Sequence, residues 1–299
     1  MSVNDLPAAR QLAGMTHHKH NIFCSCCGCK GRSNVHNTDF HKWQRKDVSV
    51  LRKQAEAWRD ANTIDARKQI YNKYGVRWSE VWRQDCWDPT RMLVPDPMHT
   101  NLHGDVAYHC RRIIPPESID FIQKVISETE RPTSVRHVPT NFGEAGAGSI
   151  KADEWRQLAT IFLPIALVIL WGEKQGDDAV LFGEILAHSM ALFQATSILF
   201  RYLTNQNRAS RYRDHFKVWV DDLPRLFPHT KNHERKTVIH MSFHTYDFLL
   251  LFGPAHGWWC FPLERLIGLL QKIKTNDRLG GMYIAFCSRA WLTGSFRST

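Results

Sequence analysis

The segment that decides how this chain is interpreted runs from His240 to Arg265, with the sequence HMSFHTYDFLLLFGPAHGWWCFPLER. Its first two histidines, His240 and His244, are four residues apart, the spacing that places two side chains on one face of a helix. The glycine and proline that follow predict a helix break, after which Pro262 opens a new helix with Glu264 in its first turn. This order of motifs indicates a scaffold that a metal ion holds together and that presents the carboxylate of Glu264 on the helix after the break.

Cysteines are crowded near the N-terminus, where four of the eight in the chain lie within residues 24–29. They are too close together to cross-link distant elements, so they favour metal-binding thiols in a reducing intracellular compartment over a secreted disulfide scaffold. Cys24 with Cys27, or Cys26 with Cys29, has the spacing with which a loop chelates zinc. The spacing does not choose between the two pairs, and reduced cysteines without a metal are the alternative.

Two thiolates from this cluster and the two imidazoles of His240 and His244 would complete a tetrahedral Cys2His2 set. A closed set of four ligands is typical of structural rather than catalytic zinc. The sequence therefore predicts a structural Zn²⁺ that ties the N-terminal cysteines to a helix far along the chain.

The charge of the chain points toward a polyanionic partner. The formal net charge is +10 and the pI is about 9.3, which favours nucleic acid, with a solvated basic surface as the alternative. Met1 to Gly14 has no signal-peptide pattern. The longest apolar run, Leu158–Trp171, is shorter than the ~18–20 residues of a membrane span and predicts a buried helix. We therefore expect no membrane partner and no small-molecule cofactor, and self-association stays open.

Apolar residues recurring at three and four positions predict a mainly α-helical chain with one or two strands. The expected helices of the second half lie near residues 151–172, 177–204, 208–223, 235–252, 258–275 and 279–292. A loop rich in proline and glycine at residues 131–150 is the best internal boundary.

Three acidic positions each have a local explanation. Asp5, in Asn-Asp-Leu-Pro, is expected to cap a turn at the start of a short helix. Asp96 and His99 could form half of a metal site or a hydrogen-bonded turn, and an aspartate before proline favours the turn. Glu264 could be an ordinary first-turn acid, stabilised by the helix dipole.

Taken in order, the motifs resemble the catalytic core of CACTA-type DNA transposases, especially the fungal branch. The similarity extends over essentially the whole chain, and its last block is the most specific. The segments that carry it are Asn4-Asp5-Leu6-Pro7, Cys24-x-x-Cys27, Asp96-Pro97-Met98-His99, His240-x-x-x-His244 and Gly253 to Arg265.

The resemblance implies a ribonuclease-H-like fold with a helical insertion before the final acid. It implies chemistry with three carboxylates and two Mg²⁺ or Mn²⁺ ions at a phosphodiester. Asp5 corresponds to the second acid and Glu264 to the third, and Cys24 and Cys27 are selected over Cys26 and Cys29. A DNA partner implies a nuclear location. The residues predicted to contact nucleic acid are Arg265, for which a structural ion pair is the alternative, Lys272 and Lys274.

The first acid and the strands that carry it have no counterpart before Asp5 in this sequence. We therefore expect an incomplete ribonuclease-H-like core with a zinc knuckle in residues 1–130, the loop 131–150, and a helical insertion with the acid-bearing C-terminal helix in residues 151–299. The expected function is that of a transposase-derived remnant, inactive alone. The alternative is a zinc-stabilised DNA- or protein-binding module without catalysis.

Overall fold

A computed structural model describes residues 1–272, apart from residues 134, 136, 145, 147 and 233–236. The predicted helix at 279–292 and the predicted contact residue Lys274 lie outside this range. Residues Met1–Trp259 form one compact unit, and Cys260–Thr299 form a second. The predicted boundary at residues 131–150 therefore lies within the first compact unit.

The N-terminal part combines a small sheet with short helices. Strand β1 (Ser2–Asn4) pairs in parallel with β2 (Leu93–Pro95), so that Ser2 lies opposite Leu93. Helix α1 (Leu6–Leu12) follows β1 directly, because the Asp5 side chain caps it and Pro7 suits its first turn. The next helices are α2 (Val48–Asp60), α3 (Ile64–Tyr74) and the single turn α4 (Pro89–Met92).

These elements share a small core. Leu51 and Ala55 on one face of α2 are buried, whereas α3 buries none of its residues. The core closes around α1 and a pair of tryptophans. Its buried members are Ala9, Ala13, Met15, Leu51, Ala55, Val76, Trp82, Trp87 and Leu93.

The middle of the chain is helical on both sides of the long loop. A π-helical segment (Met98–Val106) leads into α5 (Ala107–Arg112), and α6 (Ile119–Glu128) ends before the loop. After the loop, α7 (Ala152–Gln157), a π-helical turn (Leu158–Phe162) and α8 (Leu163–Gly172) follow one another without a break. The loop is anchored by Phe142, which is buried and packs edge-on against Trp155.

Two long helices, α9 (Ala179–Leu199) and α10 (Gln206–Leu226), pack against each other at the centre of the helical region. The predicted helix at 235–252 is two helices, α11 (Thr237–Phe243) and α12 (Thr245–Phe252), with His244 at the junction. The second compact unit contains α13 (Phe261–Leu270).

The described residues are mainly helical, as the periodicity predicts. Their one sheet has two short strands. The resemblance implies an incomplete ribonuclease-H-like core. The described residues do not show one, so this part of the fold stays a prediction.

Within the part of the chain that the structure describes, two helical stretches are long and apolar enough to cross a bilayer by length and composition alone. They are Ala152–Gly172 and Ala179–Leu199, with mean hydropathies of 1.5 and 1.3. The helix containing the apolar run is thus longer than the run itself. About half of each stretch, 50% and 44%, is buried within the protein, as is common in core helices.

A chain of buried polar groups connects α5, α9 and α10. The Trp219 indole N–H donates to His109 Nδ1 (3.1 Å), which leaves His109 Nε2 to donate to Ser189 Oγ (3.1 Å). His188 Nε2 donates to the Trp219 carbonyl oxygen at 3.0 Å. A protonated His109 could not accept the indole hydrogen, so this network requires a neutral ring.

We expect this network to make the protein sensitive to acid. Burial lowers the pKa of His109 well below its ordinary value and that of His188 to about 4. The unfolded chain binds more protons once the pH falls below about 6.5. Stability is therefore complete above that pH and is lost toward pH 4, by up to about 1.4 kcal/mol per pH unit for each histidine.

Urea unfolding at pH 7.5, 6 and 5 measures this loss. The His109→Gln variant, which keeps an acceptor and a donor but cannot titrate, should show a shallower dependence on pH than the unmodified protein. Because both proteins have the same metal ligands, the difference between their slopes isolates His109. Equal slopes would contradict the assignment.

Candidate metal centre

The loop at residues 24–27, here called the knuckle, folds around the sulfur of Cys24. The backbone N–H groups of Cys26 and Cys27 both donate to Cys24 Sγ, each at 3.3 Å. These bonds turn the chain so that Cys27 Sγ lies 3.5 Å from Cys24 Sγ. Donors aimed at a sulfur favour its thiolate form, which is the form that binds metals.

Both predicted histidines face the knuckle. His244 Nε2 lies 3.4 Å from Cys24 Sγ, and His240 Nε2 lies 3.3 Å from Cys27 Sγ. The four ligand atoms are all within 4.8 Å of one another, and all four residues are buried. Tetrahedral zinc with ordinary Zn–S and Zn–N bonds sets its ligand atoms about 3.3–3.8 Å apart. The cluster could therefore hold one metal ion.

The two histidines reach this arrangement without sharing one regular helix. His240 lies on α11, and His244 occupies the junction with φ −71° and ψ −10°. Its N–H bonds to the Met241 carbonyl oxygen, so the junction is a tightened turn. The backbone stays right-handed through this turn, which keeps both imidazoles on the side that faces the knuckle.

Of the two possible cysteine pairs, the geometry brings Cys24 and Cys27 to the histidines. The Cys26 sulfur contacts Ser25 Oγ at 3.7 Å instead. The hydrogen bond to Cys24, followed by burial, raises the pKa of Cys26 well above its ordinary value. Cys26 thus stays a thiol that supports the knuckle.

Within the cluster, the negative charge of the Cys24 thiolate and the positive charge of a protonated His244 stabilise each other. Burial is the largest influence on Cys24 and opposes its ionisation, but hydrogen bonds from Cys26 and Cys27 and the nearby His244 hold its pKa well below the usual range. Burial likewise disfavours a charged His244, yet the Cys24 thiolate and Asp247 outweigh it and raise the pKa of His244 to about 9. A metal ion that binds here must displace the His244 proton, so its affinity depends on pH.

A second layer of side chains orients the ligands. Asp247 Oδ2 lies 3.1 Å from His244 Nδ1, and Arg45 Nη2 donates to Asp247 Oδ1 at 3.1 Å. Trp43 stacks on the His240 ring with centroids 4.3 Å apart, and Phe23 contacts that ring edge-on at 5.0 Å. Sequence reasoning did not identify Asp247, although a carboxylate three residues after a ligating histidine is a usable signal.

Removing this carboxylate is expected to weaken metal binding without abolishing it. Asp247→Ala takes away the group that fixes the His244 ring, an effect of about 10–100-fold in metal affinity. Competition with a chromogenic chelator at constant pH measures the change. Asp214→Ala, which removes an exposed carboxylate from α10, should leave the affinity within twofold. Equal affinities in the two variants would contradict the role of Asp247.

Arg10 on α1 is a further residue that sequence reasoning missed. It is 1% exposed, and its guanidinium donates to the backbone carbonyl oxygens of Thr16, Ile22 and Phe23. Burial lowers its pKa to about 10, against the opposing pull of Cys24. Arg10 thus joins α1 to the segment that leads into the knuckle.

Asp5, which corresponds to the second acid in the resemblance, and the Asp-x-x-His motif both lie at the ends of paired strands. Asp5 directly follows β1, and its Oδ1 accepts the Ala8 N–H at 2.8 Å as a helix cap. Asp96 directly follows β2, is fully buried, and contacts His99 Nδ1 through Oδ2 at 2.7 Å. The local turn expected for Asp96 and His99 is therefore present.

The remaining predicted residues belong to the second compact unit. Glu264 lies in the first turn of α13, next to Arg265. Lys272 follows the end of that helix and is exposed. Apolar side chains of α13 are also exposed, including Leu263 and Leu266.

Comparison with known proteins does not assign the chain to a family. No protein-family model matches it, and no curated protein matches it. The function of the protein is therefore inferred from the chemistry of the residues described above.

Proposed function

We propose that the protein is a zinc-stabilised helical scaffold that binds DNA, derived from a transposase core. The observation that carries the proposal is the buried cluster of Cys24, Cys27, His240 and His244. Two sulfur and two nitrogen ligands suit Zn²⁺, and a closed set of four leaves no position for a catalytic water. The zinc is therefore structural.

The zinc would join two parts of the chain that lie more than 200 residues apart in sequence. Between α1 and α2 the described residues contain only short 3-10 turns, Arg32–Asn34 and Phe40–Lys42. A segment with so little regular structure gains much of its stability from metal binding. The ion would hold this segment on α11 and α12.

Metal analysis of protein purified without chelators tests the zinc. We expect one Zn²⁺ per chain, and replacement by Co²⁺ should give the visible absorption of a tetrahedral thiolate complex. Cys27→Ser should lose the metal, whereas Cys86→Ser, at an exposed cysteine, should retain it. Protein that folds but holds no zinc would refute the proposal.

Charge supports DNA as the partner. Beyond the net charge of +10, three lysines line a groove of about 260 Å³ beside the knuckle, together with Tyr74. Two of them, Lys30 and Lys73, form no ion pair with any described residue. Unpaired lysines beside an aromatic ring suit phosphates and bases of nucleic acid.

We expect the affinity for duplex DNA to fall steeply with salt, because each neutralised phosphate contributes about 0.9 to the logarithmic slope. Replacing Lys30 and Lys73 together by Gln should reduce that slope by about 2. Lys53→Gln/Lys68→Gln, which removes two charges from the helices α2 and α3, is the matched control. Equal slopes for the two double variants would exclude the groove as the DNA contact.

Retained strand cleavage is a second candidate. It is favoured by the order of the motifs and by Asp5 and Asp96, each of which directly follows one of two adjacent parallel strands. Incubation of the chain with DNA and Mg²⁺ or Mn²⁺ tests it. Cleavage that Glu264→Gln abolishes would favour the enzyme, and binding without cleavage would favour the scaffold.

A further inference from the structure

A small pocket adjoins the zinc cluster on the side of α10 and α12. Its volume is about 110 Å³, enough for a phosphate group. Two of the four metal ligands, Cys27 and His244, contribute to its wall. The other lining residues that matter here are Phe40, Trp43, Arg45, Arg213 and Asp247.

Arg213 is held rigidly in the wall of this pocket. Its guanidinium carbon lies 4.0 Å from the centroid of the Phe40 ring and 3.7 Å from that of the Tyr246 ring. Two aromatic faces at this distance fix the plane of the guanidinium and favour its positive charge. The side chain is therefore oriented before any ligand arrives.

The same side chain has a donor that no described residue satisfies. Arg213 Nε is buried and has no hydrogen-bond partner among the described residues. A buried N–H without an acceptor is uncommon in folded proteins, because it gives up its bond to water without replacement. The Arg213 guanidinium is therefore not committed to an acceptor among the described residues.

The acid in the pocket does not serve as that acceptor. Asp247 uses Oδ1 for Arg45 and Oδ2 for His244. Both carboxylate oxygens of Asp247 are thus already engaged, one with Arg45 and one with His244. Arg213 is left as a cation that faces an opening with a second arginine, Arg45, in its wall.

We propose that this pocket binds a phosphate group, with Arg213 as its principal donor and Arg45 as the second cation. Two guanidiniums from separate elements can surround a tetrahedral oxyanion, whereas a planar carboxylate needs only one fork. This inference rests on the proposed DNA-binding function for the source of the phosphate, which is the phosphodiester backbone. Free phosphate has the same chemistry and is the other source to be tested.

The test uses the full chain loaded with zinc. Arg213→Gln removes the charge and the fork, Arg213→Lys retains the charge alone, and Arg211→Gln removes an exposed arginine from the same helix. Duplex DNA binding is measured by fluorescence anisotropy over a range of salt. Inorganic phosphate is titrated separately, with thermal unfolding as the readout and chloride at equal ionic strength as the reference.

We expect Arg213→Gln to weaken DNA binding about tenfold, the effect of losing a hydrogen bond to a charged group. Arg213→Lys should restore little of it, and Arg211→Gln should change it less than twofold. Phosphate should raise the unfolding temperature of the unmodified protein but not of either Arg213 variant. Zinc content should be the same in all of them, which separates this result from a failure of the metal site.

The outcomes that overturn the proposal are specific. If Arg213→Gln and Arg211→Gln weaken DNA binding equally and phosphate does not stabilise the unmodified protein, the pocket is not a phosphate site. If phosphate stabilises the protein through Arg213 but DNA binding is unaffected, the source is free phosphate and the DNA assignment is wrong. The phosphate titration needs no DNA, so it decides the chemistry even if the chain does not bind DNA, and Arg213→Lys supplies the comparison if Arg213→Gln fails to fold.

Discussion

Cys24→Ser is expected to release the zinc and to loosen residues 1–50 before any other part of the chain. The thiolate of Cys24 is central to the cluster, since it contacts His244, Cys27 and two backbone N–H groups. Structural zinc contributes about 10–16 kcal/mol in small zinc-binding peptides, and the hydroxyl of serine is a poor substitute for a thiolate. Most of the energy that holds the segment between α1 and α2 should therefore be lost.

Hydrogen exchange followed by mass spectrometry measures this effect. Amides in residues 1–50 should exchange at least about 100-fold faster in the variant, which corresponds to about 2.7 kcal/mol of local stability. Amides in α9 and α10, which pack against each other through buried apolar side chains, should change little. Cys86→Ser serves as the control, and unchanged exchange in residues 1–50 of Cys24→Ser would disprove the tether.

Arg10→Met is expected to destabilise the protein by about 3–5 kcal/mol while leaving all four zinc ligands in place. The substitution keeps an unbranched apolar stem but leaves the carbonyl oxygens of Thr16 and Phe23 without their donor, whereas that of Ile22 still accepts the Thr16 hydroxyl. Each unsatisfied buried polar group costs about 1–3 kcal/mol, and partial relaxation of the loop offsets some of this. The loss should appear in urea unfolding with excess zinc.

Arg52 provides the matched control, because it also donates to backbone carbonyl oxygens, those of Trp82, Gln84 and Asp85. These bonds are partly or fully exposed to solvent, so water can replace the donor. Arg52→Met should therefore cost less than about 1.5 kcal/mol. Similar losses in the two variants would show that the burial of Arg10 is not what makes it important.

The ligand set illustrates how far the chain could be interpreted before its structure was known. Cysteines three apart and histidines four apart each restrict the local backbone to a turn or a helix that points both side chains one way. That information is local, so it was sufficient to propose Cys2His2 zinc binding. It could not choose Cys24 and Cys27 over Cys26 and Cys29 without the resemblance, because the choice depends on which sulfurs face α11.

The predicted helix at 235–252 and the predicted catalytic roles of Asp5 and Glu264 also depend on contacts between distant parts of the chain. Within the described residues 237–252, the predicted helix divides at His244, where a hydrogen bond from the His244 N–H to the Met241 carbonyl oxygen tightens the turn. Asp5 had an expected role as a helix cap, which the structure displays, and an implied role in catalysis, which stays a prediction. Glu264 and Asp5 belong to different compact units.

The mainly helical class, the presence of a cysteine knuckle and of a histidine pair, and the basic charge all follow from the sequence alone. These features depend on neighbours within about one helical turn or on composition alone. Only the tertiary structure identified the contacts of Asp247 with Arg45, of Arg10 with Phe23 and of Arg213 with Phe40, since each joins residues more than one helical turn apart in the chain. Whether a polar side chain is satisfied, exposed or left without an acceptor depends on burial. Burial is a property of the packed chain, and no local spacing encodes it.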